Sequence, residues 1–268
     1  MGVSSWIIAP LRSRARIRRF LDADRCMAAY VLGDLAAPHW SRSEFLGAVP
    51  RGAPEDLAAL ALRYAGFDPP ILVPFGEPEA VAAILAVLAG AEVYWNAAGD
   101  LLPIIRRFYD TPAPEAMWRM ALAGAPAVPP GVERAEPLRG PEGARLVAEL
   151  FAAAGDNAGH RFAPSQVEDG AFFGLFAAGE LIAVSGTHLV SEAEGVAAIG
   201  NVYTRPSHRG RGHAQVATAA TVRCLRERGI RTIVLNVGRE NAAAIHVYER
   251  LGFACHRPFW EGPGIRKR

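Results

Sequence analysis

The residues best placed to do chemistry lie in one run: Asn201-Val202-Tyr203-Thr204-Arg205-Pro206-Ser207-His208-Arg209-Gly210-Arg211-Gly212-His213-Ala214. It reads as a strand, a loop rich in Gly and Arg, and the start of a helix. That order suits a pyrophosphate. Gly210 and Gly212 let the backbone approach a ligand and take φ > 0. Successive amides at the head of the following helix form an anion site, strengthened by the helix dipole. Arg209 and Arg211 add charge at the same place. A tight strand-to-helix turn with solvated arginines would show the same residues, so the loop alone leaves both readings open.

A second segment runs from Asn236-Val237-Gly238-Arg239-Glu240-Asn241 to Tyr248-Glu249-Arg250-Leu251-Gly252-Phe253. It reads as a strand end followed by a helix for which Asn241 is a good N-cap. Helical spacing puts residues 241, 245 and 248 near one face. Taken singly, Asn241 is a plain cap and Tyr248 a core aromatic.

Together the two segments resemble the acyl-CoA signature of the GNAT superfamily of N-acyltransferases. Its R/Q-x-x-G-x-G/A pattern is met by Arg209, Gly212 and Ala214, and its closing Y-x-x-x-G-F by Tyr248, Gly252 and Phe253. The resemblance covers roughly 132–260. It implies acetyl-CoA, or another acyl-CoA, as cosubstrate, with no metal. It also implies that a bulge splays the strand before the loop from its neighbour. Val202, Tyr203 and Thr204 would then line the pantetheine arm, the amides of Gly210, Arg211, Gly212, His213 and Ala214 would hold the phosphates, and Asn241 and Tyr248 would flank the cofactor.

The reaction so implied is attack of a neutral amine on a thioester. The carbonyl oxygen needs a donor, for which the amide of Val202 or a neighbour is placed, and the leaving thiolate needs a proton. Tyr248 is the natural acid. The base is where this chain departs from many relatives, which carry a Glu on the strand before the loop. Residues 196–204 hold no carboxylate. His188 on the preceding strand, acting directly or through water held with Asn201, is the candidate, with Glu192 and Glu194 as alternatives.

The elements that must position these groups follow from patterning. The chain has 268 residues, which fits two domains. Gly124-Ala125-Pro126-Ala127-Val128-Pro129-Pro130-Gly131 reads as a linker, dividing the chain into 1–128 and 129–268. After it come a strand at 132–138, a helix at 141–154, and strands at 171–177, 180–190 and 196–204. A helix at 214–228, a strand at 231–237, a helix at 241–251 and a returning strand from 254 complete the domain. The expected class is α/β with a mixed sheet, a GNAT fold preceded by a smaller α/β domain. That first domain shows a helix at 22–35, strands at 71–75, 91–95 and 116–122, and helices at 79–89 and 100–109. Its nearest loop, Val73-Pro74-Phe75-Gly76-Glu77-Pro78-Glu79, is acidic and would repel a pyrophosphate. If this half is a degenerate GNAT-like copy, it has lost cofactor binding.

Composition narrows the class of partner. The formal net charge is +2, with no long basic run, and Lys267 is the only lysine, so nucleic acid is not an expected partner. Three scattered cysteines, Cys26, Cys224 and Cys255, argue against a disulfide framework and fit a reducing compartment. No apolar run suits a signal or a membrane span, so the expected location is the cytoplasm, with a monomer or homodimer. Three functions stay open: acyl transfer to a small-molecule amine, the same chemistry on a protein N-terminus or lysine, and a non-catalytic acyl-CoA sensor.

Overall fold

The computed structural model describes residues 5–53, 56–154 and 162–268. The chain forms two compact units. One is Met1–Trp118 with Arg257–Arg268, and the other is Arg119–His256.

The first unit runs β1 (Trp6–Pro10), α1 (Arg14–Leu21), α2 (Arg25–Gly33), β2 (Ser43–Pro50), β3 (Ala59–Tyr64), β4 (Ile71–Gly76), α3 (Pro78–Val87), β5 (Glu92–Ala98), α4 (Leu102–Phe108) and the short β6 (Tyr109–Asp110). Strand β7 (Glu115–Leu122) then carries the chain out of the unit. Strands β1 to β4 form an antiparallel meander, and β5 joins β4 in parallel after the α3 crossover. Ser13 caps α1 and Asp24 caps α2 through side-chain acceptors, satisfying amides that have no helical partner. Fully buried Trp95, Tyr109, Leu72, Ile84 and Leu85 form the core. Sequence patterning misses β1, α1, β2 and β3. The Ala59–Tyr64 strand is apolar without alternation, because almost all of it is buried, so no period of two marks it.

The second unit runs β8 (Glu136–Pro137), α5 (Gly140–Ala152), α6 (Ser165–Asp169), β9 (Phe173–Ala177), β10 (Glu180–Ser191), β11 (Val196–Thr204), α7 (His213–Glu227), β12 (Thr232–Gly238), α8 (Ala242–Arg250) and β13 (Phe253–Arg266), whose second half lies in the first unit. Strands β8 to β11 are antiparallel neighbours, and β12 joins β11 in parallel after α7. Each unit therefore repeats one plan: an antiparallel run that ends in a parallel pair joined by a helix. The mixed α/β class holds for both.

Two expectations need correction. Residues 132–138 are not one strand but a 3-10 turn at Val132–Arg134 and a two-residue bridge at Glu136–Pro137. Pro137 cannot donate to a ladder, which limits the strand to an edge fragment. The expected division at 128/129 also differs from the structure. The chain leaves the first unit at Trp118, and Arg257–Arg268 returns to it, because Phe259–Ile265 pairs antiparallel with β5.

Candidate functional site

The site grows from two irregularities in neighbouring strands. In β10 the register against β11 slips between Thr187 and Leu189, leaving His188 as an extra residue. In β11 it slips again between Gly200 and Tyr203. At the second slip Asn201 takes φ 53°, a left-handed conformation that Asn tolerates better than most residues. The bulge bends β11 away from β12. Their parallel ladder runs from Val196↔Thr232 to Ile199↔Leu235 and stops, while β11 stays paired with β10 through Thr204. Among the described residues, the backbone of 200–204 thus has no strand partner on its β12 side.

Gln166 of α6 holds both irregularities. Asn201 Nδ2 donates to Gln166 Oε1 at 3.2 Å and, at longer range, to Thr187 O. Gln166 Nε2 donates to His188 O at 3.4 Å. Gly200 matters for a different reason: a Cβ there would meet the His188 ring at 2.2 Å, so a bare glycine is what lets the imidazole lie across β11. Neither Gln166 nor Gly200 carries a sequence signal, since both act through partners distant in the chain.

The loop that follows has the expected geometry. Gly210 and Gly212 take φ 75° and 78°. Gly212 is the left-handed cap of α7 and brings no side-chain acceptor. The first bond of the helix is Val216 N–H to Gly212 O, so the amides of His213, Ala214 and Gln215 have no acceptor within the helix. Arg211 and Gly212 are exposed. His213's pKa is lowered from its usual value, first by burial, then by the positive charges of Arg134, His208 and Arg211. A cationic cluster at a helix head is a setting for an anion.

Other members of the expected set have more specific placements. Arg209 braces the strand end: its Nε donates to Thr204 O at 3.1 Å and its guanidinium lies 5.6 Å from the Tyr203 ring centre. The Tyr203 ring packs edge-on against Phe151 of α5, which leaves its backbone for a ligand. Thr204 Oγ1 is buried and has no hydrogen-bond partner among the described residues. Asn241 accepts from Ala244 N–H at 3.1 Å and so caps α8. Tyr248 is 8% exposed and packs edge-on against Phe253. Val202 lies on the parted stretch of β11 and is half-buried. His188 sits at the bulge. Glu192 and Glu194 lie in the turn before Val196, at the opposite end of β11, and Glu192 is bound to Arg228 at 2.9 Å, so neither belongs to this site.

An acyl-CoA fits this arrangement on three counts. The unpaired edge of β11 can take an extended amide-bearing arm. Among the described residues, Thr204 Oγ1 lacks a partner. The head of α7 offers free amides beside positive charge.

Known proteins resemble this chain in part of its sequence and in its fold. The model of the acetyltransferase (GNAT) family matches residues 139–253. A mycothiol acetyltransferase of Rhodococcus erythropolis is 47% identical over 58 residues, which is 20% of this chain and 19% of that protein; the match thus spans about a fifth of that relative's length. A GCN5-related N-acetyltransferase from Sphaerobacter thermophilus superposes with TM-score 0.60 at 17% identity, covering 100% of this chain and 98% of the other. A tandem GNAT protein from the clavulanic acid biosynthesis pathway gives TM-score 0.54 at 15% identity, covering 96% and 98%. These two structures speak for the fold, and the family model matches the segment that holds the parted strands and the loop, residues 139–253.

Proposed function

We propose that the second unit binds acetyl-CoA along β11 and at the head of α7, and transfers the acetyl group to the primary amine of a small molecule. The observation that carries this reading is the bulge at Asn201, which frees the edge of β11 from β12 just before a glycine loop with unpaired helix-head amides. Acetyl-CoA supplies the acyl group as a thioester. The backbone of Val202 and its neighbours lines it, and the amides of Gly210, Arg211, Gly212, His213 and Ala214 hold its phosphates. Tyr248 is the acid that gives the departing sulfur its proton. His188, beside the bulge, assists removal of the amine's proton directly or through water. The name of the matched relatives makes mycothiol-related amines the first acceptors to try.

The test is calorimetry with CoA, followed by a thiol-release assay with acetyl-CoA and a panel of small primary amines that includes amino-acid amides, amino sugars and mycothiol-related amines. The expected result is CoA binding, with turnover confined to a subset of the panel. No binding of CoA would overturn the reading. Binding with no turnover on any amine, small or peptidic, would favour the sensor.

A further inference from the structure

One polar atom beside the parted strands has no role so far. The carboxamide oxygen of Asn236 is buried and has no hydrogen-bond partner among the described residues. Asn236 follows Leu235, whose partner Ile199 ends the parallel ladder of β11 and β12. Residues level with each other in a parallel pair put their side chains on the same face. Carrying the register forward by one brings Asn236 level with Gly200 and onto its face. On that face Gly200 presents nothing, and the His188 imidazole covers it, with ring atoms 2.2–2.4 Å from where a Cβ would be. Gly186, the β10 partner of Gly200, is covered there by Phe172. Adjacent strands thus set an imidazole, a bare glycine and an unmatched amide oxygen on one face, where β11 begins to leave β12.

An Asn oxygen can take two donors, and leaving it buried without one is unfavourable unless a ligand brings one. The chemistry that satisfies it is an N–H. A carboxylate or phosphate would bring only acceptors. Because Asn is neutral, it can hold an amine without pinning it as an ammonium ion, as a carboxylate would.

We propose that Asn236 binds the acceptor: its carboxamide oxygen takes an N–H of the substrate amine, across Gly200 from His188. This rests on the acyl-transfer reading above. The first unit offers a contrast. Asn96 follows its last parallel pair, Leu72↔Trp95, and its oxygen is likewise unmatched. There, however, Asn96 Nδ2 is committed to Glu261 at 3.2 Å, and Val73 stands where the second unit has Gly200. A side chain fills the space an amine would need.

The experiment uses the full chain with acetyl-CoA and the amine panel. Asn236→Leu keeps the volume and removes the oxygen. For each amine the parent turns over, kcat/KM should fall ~10–100-fold, mostly through the amine's KM, while acetyl-CoA affinity and melting temperature hold. Asn236→Asp restores an acceptor oxygen; it should recover amine affinity and move the pH at which kcat/KM rises. Should the Leu variant not fold, Asn236→Ala with Asn236→Asp gives the same comparison. Unchanged amine kinetics in the Leu or Ala variant would overturn the proposal and leave the acyl-transfer reading standing. So would a parallel loss of acetyl-CoA binding, which marks a packing role. A parent that turns over no amine would overturn both.

Discussion

Gly212 caps α7 at φ 78° with nothing within 4 Å of a Cβ built on it. Space therefore does not demand glycine there; backbone conformation and approach of a ligand do. Gly212→Ala should cost about 1–2 kcal/mol of stability from the left-handed conformation and weaken CoA binding modestly. Gly212→Asp adds a carboxylate where phosphate must come and should abolish binding at the same stability cost. Thermal melts and calorimetry on the pair separate the two effects, and equal CoA affinity in both would remove Gly212 from the site. Its neighbour His213 gives a pH signature. Burial and the nearby charges lower its pKa from 6.5, so in the free protein it charges only below that value. A bound phosphate favours the charged form and raises the pKa. CoA affinity should therefore increase as pH falls through the raised pKa of the bound state and level off below the lowered pKa of the free protein, with proton uptake seen as a binding enthalpy that depends on the buffer. His213→Gln should flatten that dependence; a flat profile in the parent would place the phosphates elsewhere. Tyr248→Phe keeps the ring that packs on Phe253 and removes the hydroxyl. Turnover should drop ~10–10³-fold with little change in acyl-CoA affinity, and full turnover would make Tyr248 a packing residue. At this scale the sequence is informative where one residue type is needed for one local act, as with the loop glycines. It is silent where a residue's role comes from across the sheet. Asn236 reads as one more polar residue in a strand until its register against Gly200 is known.

The strand bulge is the element on which the site depends, and it is over-determined. Asn201 holds φ 53°, its amide reaches Gln166 and Thr187, and Gln166 reaches back to the bulge at His188. A β-branched residue resists positive φ strongly, whereas glycine accepts it. Asn201→Val should destabilise by about 1–3 kcal/mol through that strain and the lost amide bonds, and should weaken CoA binding as β11 straightens toward β12. Asn201→Gly keeps the backbone and should retain most of the affinity, losing only the side-chain bonds. Comparable CoA affinity in the Val variant and the parent would show that the parting of β11 and β12 does not depend on the bulge. Apart from α6, which patterning misses, the helices and strands from Gly140 onward were legible because they show a clear period or a terminal glycine, as with α7 and Gly229. The bulge itself was reached only through family resemblance: nothing in the types of Gly200, Asn201 and Val202 distinguishes a bulged strand from a regular one, because the anchor is a glutamine 35 residues earlier in sequence. The strand expected at 132–138 failed for a different reason: three of its seven residues are charged, and Pro137 limits pairing to the fragment at Glu136–Pro137.

Across the whole molecule, one plan is built twice and equipped once. The first unit also parts its parallel pair early, after Leu72↔Trp95, yet its details oppose a nucleotide cofactor. Strand β4 pairs with β3 in unbroken register from Ile71 to Gly76, so no bulge turns its edge outward. Pro74 removes an amide from that edge. Gly76 has positive φ, but a Cβ there would lie 2.2 Å from Ala58 O; this glycine serves close approach to β3 and not a phosphate. Glu77 stands at the N-cap position of α3, without a side-chain capping bond, and Glu79 in its first turn, placing negative charge at the helix head, where the dipole would otherwise draw an anion. Repetition of the fold was not legible in the sequence because the two copies share strand pairing and crossover order, which arise from backbone geometry, and not the loop residues that carry chemistry. CoA should therefore bind with a stoichiometry of one per chain. Calorimetry on the intact protein should give one site, and Gly212→Asp should remove that site wholly. The intact chain is the right object, since β7 and β13 each run from one unit into the other and a cut at 128 would strip Arg119–Leu122 from the second unit. As a control, Glu77→Gln with Glu79→Gln should remove the repulsion at α3 without creating a second site, because β4 would still lack a bulge and Pro74 would still lack its amide. A stoichiometry of two in the parent, or residual binding in Gly212→Asp that disappears when α3 is altered, would show that the first unit binds the cofactor after all.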